Sequence, residues 1–132
     1  MADIRNILIV DNDEDDVELF TTVLMEVHPE IQVTNATTVT TAERLIDSMN
    51  KPDLIVMDLH LPIKPGKELL SIIRSKNDLK TTPVVLLSGY KNEAEIKFCL
   101  ENGARKYYQK PTTYTGLKHV VSEIVSSAEA NG

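Results

Sequence analysis

Cysteine is nearly absent from this chain, and tryptophan is missing altogether. The single Cys99 excludes an intrachain disulfide framework and any zinc site built from several thiolates. Without disulfides or a secretion signal, a reduced, cytoplasmic setting is expected. Cys99 itself falls in a helical pattern, where a lone cysteine is expected to be a small core residue. Long apolar runs are lacking too. None approaches the ~18 residues of a transmembrane helix, and Ile7 to Val10 is too short for the core of a signal peptide. Positive charge is in the minority, 14 Lys and Arg against 20 Asp and Glu, for a formal net charge of −6. An acidic surface repels phosphate backbones, and no block of Lys and Arg reverses that balance. Neither nucleic acid nor an anionic membrane is therefore expected as a partner. Internal repeats and Gly/Ser/Pro linkers are also missing. The most biased stretch, Thr34 to Thr41, still fits a strand, a turn and a helix start.

What remains is ordinary globular material. The 132 residues, 42% hydrophobic and 26% charged, suffice for one domain with one well-formed core. Short β-rich runs alternate with longer helical periods. Ile7 to Val10, Leu54 to Met57 and Val84 to Leu87 are uninterrupted apolar runs without Gly or Pro. Such runs suit strands buried on both faces of a parallel sheet. Ile31 to Ala36 and Arg105 to Gln109 are weaker strands. Between them, Val17, Phe20, Leu24 and Val27 share one helix face, and so do Ala42, Leu45, Ile46 and Met49. Leu69, Leu70, Ile72 and Ile73 mark a third helix. Ile96, Cys99 and Leu100 mark a fourth, with Gly103 placed as its C-terminal cap. Leu117, Val120, Val121, Ile124, Val125 and Ala128 form the clearest stripe. Thr40 and Glu43 have capping-box spacing for the second helix. A β-α unit repeated five times implies a parallel sheet with helices on both faces, because parallel strands require right-handed crossovers.

In such sheets, sites form beyond the carboxyl ends of the strands. The first strand is followed by Asp11-Asn12-Asp13-Glu14-Asp15-Asp16, the third by Asp58, the fourth by Ser88-Gly89 and the fifth by Lys110-Pro111. Carboxylates, a hydroxyl and an ammonium meeting at one edge suggest phosphoryl handling. Carboxylates with few protein ligands suit Mg²⁺, Lys and a hydroxyl suit a phosphate, and a carboxylate can itself take a phosphoryl group. Each group has a plainer reading. Asp13 to Asp16 suit an N-cap and the first turn of a helix, Asp58 and Ser88-Gly89 suit turns, and Lys110 suits a solvated surface. An EF-hand loop fails, since Asp16 stands at its glycine position and Thr22 at its glutamate position. Singly the plainer readings win. Jointly, four suitable groups at four strand ends favour a shared site.

In this combination the chain resembles the receiver domain of two-component response regulators, of the chemotaxis-regulator type. The resemblance runs from Ile7 to about Ala128. Ile-Leu-Ile-Val-Asp at 7–11 is similar to the family's first strand, and Leu-Ile-Val-Met-Asp-Leu-His-Leu-Pro at 54–62, with Gly66, to its phosphoacceptor strand and loop. Val-Val-Leu-Leu-Ser-Gly at 84–89 and Gly-Ala-Arg-Lys-Tyr-Tyr-Gln-Lys-Pro at 103–111 are similar to its last two blocks. The fold so implied is a flavodoxin-like (βα)5 three-layer sandwich with strand order 2-1-3-4-5. The resemblance further implies that Asp58 accepts a phosphoryl group from a sensor histidine kinase or phosphotransfer protein. Mg²⁺ would be held by Asp11, Asn12, Asp58 and the main-chain carbonyl of His60. Ser88 and Lys110 would bind the phosphoryl group. Tyr107 would turn inward with the switch hydroxyl, and Pro111 would follow a cis peptide bond. Gly89 and Tyr90 lie in the loop after the switch strand, where Tyr90 and His60 would flank the phosphoryl group.

Asn12 departs from the family pattern, which has two adjacent acids there. The site carries one negative charge fewer, so weaker Mg²⁺ binding is expected. Residues 1–132 read as a single receiver domain with no output domain, a phosphoacceptor rather than an enzyme. Its signal would leave through the face of the fourth helix, fifth strand and fifth helix, as a monomer or weak homodimer. The alternative is a degenerate receiver acting as a phosphorylation-independent interaction module. A hydrolase with an aspartyl nucleophile would need an Asp where His60 stands. A flavin-binding electron carrier would need a phosphate loop where the acids of 11–16 stand.

Overall fold

The computed structural model describes residues 3–48 and 51–130; Met49 of the expected second stripe, with Met1, Asn131 and Gly132, lies outside these ranges. The elements follow in the order β1 (Asn6–Val10), α1 (Glu14–Val27), β2 (Gln32–Ala36), α2 (Val39–Ser48), β3 (Leu54–Met57), α3 (Gly66–Ser75), a 3-10 turn (Asn77–Leu79), β4 (Val84–Ser88), α4 (Glu93–Glu101), β5 (Lys106–Gln109) and α5 (Tyr114–Ala130). The five strands pair in parallel in the order β2-β1-β3-β4-β5.

The uninterrupted apolar runs have a direct cause. Successive side chains of a strand point to opposite faces, and here both faces are covered. Leu8, Val10, Ile55, Met57, Val84 and Leu86 join α2, α3 and α4 in one cluster through Ala42, Ile46, Leu69, Ile73 and Cys99. Ile7, Ile9, Leu54, Val56, Val85 and Leu87 join α1 and α5 in the other, through Phe20, Leu24, Val121, Ile124 and Val125. Cys99 is a buried free thiol, as its pattern predicts. The edge strands β2 and β5 are only partly buried, which is why their sequences carry a weaker apolar signal.

Local chemistry sets the element ends. Asp13 caps α1, its side chain accepting from the N–H of Asp16 at 3.1 Å. Gly103 follows α4 at φ +110°, a conformation that needs no Cβ, and Ala104 N–H returns to Cys99 O at 2.9 Å. Two expectations are corrected. The α2 cap is Thr38 rather than Thr40, with Thr41 N–H donating to Thr38 Oγ1 at 3.1 Å. The helix begins at Val39, so Thr40 already sits inside the first turn, beyond the position from which a side chain reaches the free N–H groups. The Lys110–Pro111 peptide is trans, since the described residues contain no cis peptide bond. Trans is the lower-energy form for X–Pro as for other bonds.

The β3–α3 loop lies against the site. A Cβ on Gly66 would stand 2.6 Å from the carbonyl oxygen of Asp58, so this close approach needs glycine. In the same loop Ile63 has φ +72° and is 91% exposed. A β-branched residue is strained there, and its side chain gains little burial in return. Ile63→Asn is expected to stabilise the protein by about 1 kcal/mol. A rise in the urea midpoint at unchanged slope is the readout; a fall would show that this backbone conformation is not the one adopted in solution.

Candidate functional site

The parallel register brings the strand ends level. Val10 pairs with Met57, Met57 with Leu86, and Ser88 with Gln109, so the next residues along share the carboxyl edge. Asp58 N–H donates to Val10 O at 2.9 Å and Lys110 N–H to Ser88 O at 3.0 Å, carrying the ladder one step past the strands. Asp11, Asp58 and Ser88 are buried there.

Asp58 is held on both carboxylate oxygens. Oδ1 accepts from Ser88 Oγ at 2.6 Å and from the His60 backbone N–H at 3.0 Å, and Oδ2 from Lys110 Nζ at 2.9 Å. Ser88 Oγ in turn accepts from Tyr90 N–H at 3.1 Å. The Tyr107 hydroxyl, half-buried, donates to the Ser88 carbonyl at 3.3 Å. Lys110 Nζ also reaches Asp11 Oδ2 at 2.8 Å and Asp16 Oδ2 at 2.7 Å. Above this cluster opens a cleft of about 440 Å³, lined by Asn12, Asp13, Asp16, Asp58, His60, Gly89, Tyr90 and Lys110. The rings of His60 and Tyr90 meet at its mouth, 5.2 Å apart and tilted by 55°.

The structure thus gathers Asp11, Asp58, Ser88 and Lys110, as the strand-end argument expects. It places Asn12 differently from its neighbour: Asn12 is exposed on the cleft wall, and its side chain has no hydrogen bond among the described residues. Pro111 lies just beyond Lys110, outside the cleft lining. Asp16 is the member that sequence reasoning missed, having been assigned to the helix dipole alone. It is the third residue of α1, and helical side chains lean toward the N-terminus. A helix that starts at a strand end therefore aims that position at the same edge, a signal present in the spacing.

Three carboxylates surround one ammonium, so the cluster carries excess negative charge. Burial raises the Asp11 pKa, and the hydrogen bond from Lys110 offsets part of that rise. Burial also works against the Lys110 ammonium, but its bonds to Asp11, Asp16 and Asp58 outweigh it and hold the pKa above the ordinary lysine value. Burial, then the Asp58 charge, raises the Tyr107 phenol. Among the described residues no group of three or more His, Cys, Asp and Glu is arranged to hold a metal ion. A cation here would draw on two buried carboxylates, neutral oxygens and water. That donor set, all hard oxygen with surplus negative charge, fits Mg²⁺, which keeps part of its water shell.

The Lys110 ammonium also links stability to pH. Its pKa is higher folded than unfolded, so its contribution is complete below pH 10.5 and is lost as pH rises through the folded value. Lys110→Met leaves the carboxylates to repel one another and is expected to cost on the order of 3 kcal/mol at pH 7. Denaturation from neutral to alkaline pH should show the gap between parent and variant persisting to pH 10.5 and closing above it. A gap that closes near neutrality would assign it to another group.

Comparison with known proteins agrees with this geometry. The model for the response regulator receiver domain matches residues 7–122, and the chain belongs to that family. It is 28% identical over 123 residues, 93% of its length, to the two-component response regulator ARR10 of Arabidopsis thaliana. It spans only 22% of that protein, and less than half the length of several other curated relatives that it matches. Among solved structures it superposes on the Mn²⁺-bound form of response regulator Rcp1 with a TM-score of 0.82 and 28% identity, covering 92% of each chain. On the phosphorylated cyanobacterial phytochrome response regulator RcpA the TM-score is 0.86 and the identity 26%, covering 99% of this chain and 97% of that one. The fold is therefore that of the receiver domains of two-component signalling, a phosphorylation-dependent system. Among the described residues no helix is long and apolar enough to cross a membrane.

Proposed function

We propose that this chain is a phosphorylation switch in which Asp58 accepts a phosphoryl group from a phosphohistidine on a sensor histidine kinase or phosphotransfer protein. The observation that carries the reading is the hold on Asp58: a buried carboxylate at the floor of an open cleft, gripped by Ser88, the His60 N–H and Lys110. A carboxylate oxygen attacks phosphorus as the P–N bond breaks, and the bonding pair leaves with the imidazole nitrogen. Lys110 and Ser88 can pass from Asp58 to the phosphoryl oxygens, so the negative charge they neutralise moves outward without losing its partners. Asp11, Asp58, Asn12 and the His60 carbonyl are the groups that would hold Mg²⁺, which supplies charge neutralisation at the phosphoryl oxygens.

Movement of Ser88 would reach the surface through Tyr107, whose hydroxyl is bonded to the Ser88 carbonyl. That connects the site to β5 and so to the face that β5 shares with α4 and α5. This face is the proposed contact for a downstream protein.

Acetyl phosphate with Mg²⁺ should label the parent protein and leave Asp58→Asn unlabelled, read by intact-mass spectrometry. A phosphoryl mass gain in the variant that hydroxylamine removes, as it does an acyl phosphate, or no labelling of the parent, would sink the assignment. The second outcome would favour the phosphorylation-independent module, the reading supported by the neutral Asn12. Asn12 can be tested on its own. Its exposed position on the cleft wall leaves room for a carboxylate beside Asp11. Asn12→Asp should tighten Mg²⁺ binding by about tenfold in a calorimetric titration, since Mg²⁺ favours carboxylates over amide oxygens. Unchanged affinity would show that this position does not face the ion.

A further inference from the structure

The opposite, amino edge of the sheet holds a second, larger cavity of about 800 Å³ that opens to solvent. Four cations line it, Lys51, Arg74, Lys80 and Arg105, with one carboxylate, Asp53. That carboxylate is already engaged, accepting from the backbone N–H groups of Arg5 and Asn6, both at 2.9 Å. None of the four cations forms an ion pair among the described residues. On a chain with a formal net charge of −6, such a local surplus of unpaired positive charge stands out from its surroundings.

Part of it has a structural explanation. Arg74 Nη1 donates to the carbonyls of Leu79 at 3.0 Å and Thr82 at 3.1 Å, and Nη2 to Gly103 O at 2.7 Å. It thereby clamps the end of α3 to the turns that lead into β4 and β5. It also neutralises carbonyls that would otherwise turn an anion away at these helix C-termini. The same argument does not cover Lys51, Lys80 and Arg105, which are exposed and whose side chains have no ion-pair partner among the described residues. Burial, and then the charge of Arg105, press the Arg74 pKa below the ordinary arginine value, so the two guanidiniums repel each other across the cavity wall. A separate observation comes from Thr82. It lines the cavity at 3% exposure, and its Oγ1 is the one buried side-chain polar atom without a hydrogen-bond partner among the described residues. A buried hydroxyl left unpaired costs free energy, so this part of the cavity wall is not satisfied from within the fold.

We infer that this cavity binds a phosphate-bearing small molecule of nucleotide size. The volume lies within the range of small-molecule sites. Arg105, backed by Arg74, offers a guanidinium fork for phosphate oxygens, and Lys51 and Lys80 add point charges for a second phosphate. Pro52 and Pro83 give the organic part an apolar wall. The cavity shares no lining residue with the Asp58 cleft, so the inference stands apart from the proposed phosphoacceptor role.

The test uses the full chain in EDTA, titrated calorimetrically with adenosine diphosphate and, separately, with inorganic phosphate. Saturable one-site binding of the diphosphate is expected, tighter than that of phosphate. Arg105→Ala and Lys80→Ala change exposed side chains and should each weaken it about fivefold or more, while Asp58→Asn should leave it unchanged. Arg74 is left in place because it clamps the fold. Absence of saturable binding, equal affinity for the two probes, or indifference to Arg105→Glu overturns the inference. So does loss of binding in Asp58→Asn, which would place the anion in the other cleft.

Discussion

The ammonium of Lys110 is the contact on which the carboxyl edge depends. Among the described residues it is the one cation paired with Asp11, Asp16 and Asp58. These acids arrive from β1, α1 and β3, and the lysine from the end of β5. Without it, three carboxylates on adjoining elements would repel at close range in a partly desolvated setting. With it, the edge is held together yet remains short of positive charge. The proposed binding of a further cation, and of a phosphoryl group against Lys110, would rest on that shortage.

A charged edge of this kind needs a rigid base, and the sheet provides it. The central strands β1, β3 and β4 are buried on both faces, so the register that aligns Asp11, Asp58 and Ser88 cannot slip without exposing an entire apolar set. The loops above are less constrained. The strained Ile63 and the tilted ring pair of His60 and Tyr90 all lie in connections at the rim, where conformational change is cheapest. The two ends of the sheet also differ in charge. Helices begin at the carboxyl edge, where acids suit their N-termini, and end at the amino edge, where cations suit their carbonyls. The fold thus sorts an acidic chain into an acidic cleft and a basic cavity.

Much of this was legible beforehand, for identifiable reasons. Uninterrupted apolar runs such as Leu54 to Met57 mark strands covered on both sides, and helical stripes such as Leu117 to Ala128 mark their covers, because periodicity reflects burial directly. Parallel order then places Asp11, Asp58, Ser88 and Lys110 at one edge by geometry alone. Edges of elements were less legible. Thr38 rather than Thr40 caps α2, since threonine density at 34–41 offers several caps and only the backbone path chooses among them.

Residue types, strand-end positions and the periodicity of the core were determined by the sequence itself, since each depends on near neighbours along the chain. Contacts between residues far apart in the chain belong to the tertiary structure. The bond from Lys110 to Asp16 joins positions 94 residues apart and depends on how α1 leaves β1. The exposure of Asn12 beside the buried Asp11 depends on which way one loop residue turns. The amino-edge cavity draws its cations from loops and helix ends with no common motif. Such groups meet only because four crossovers return the chain to the same side of one sheet.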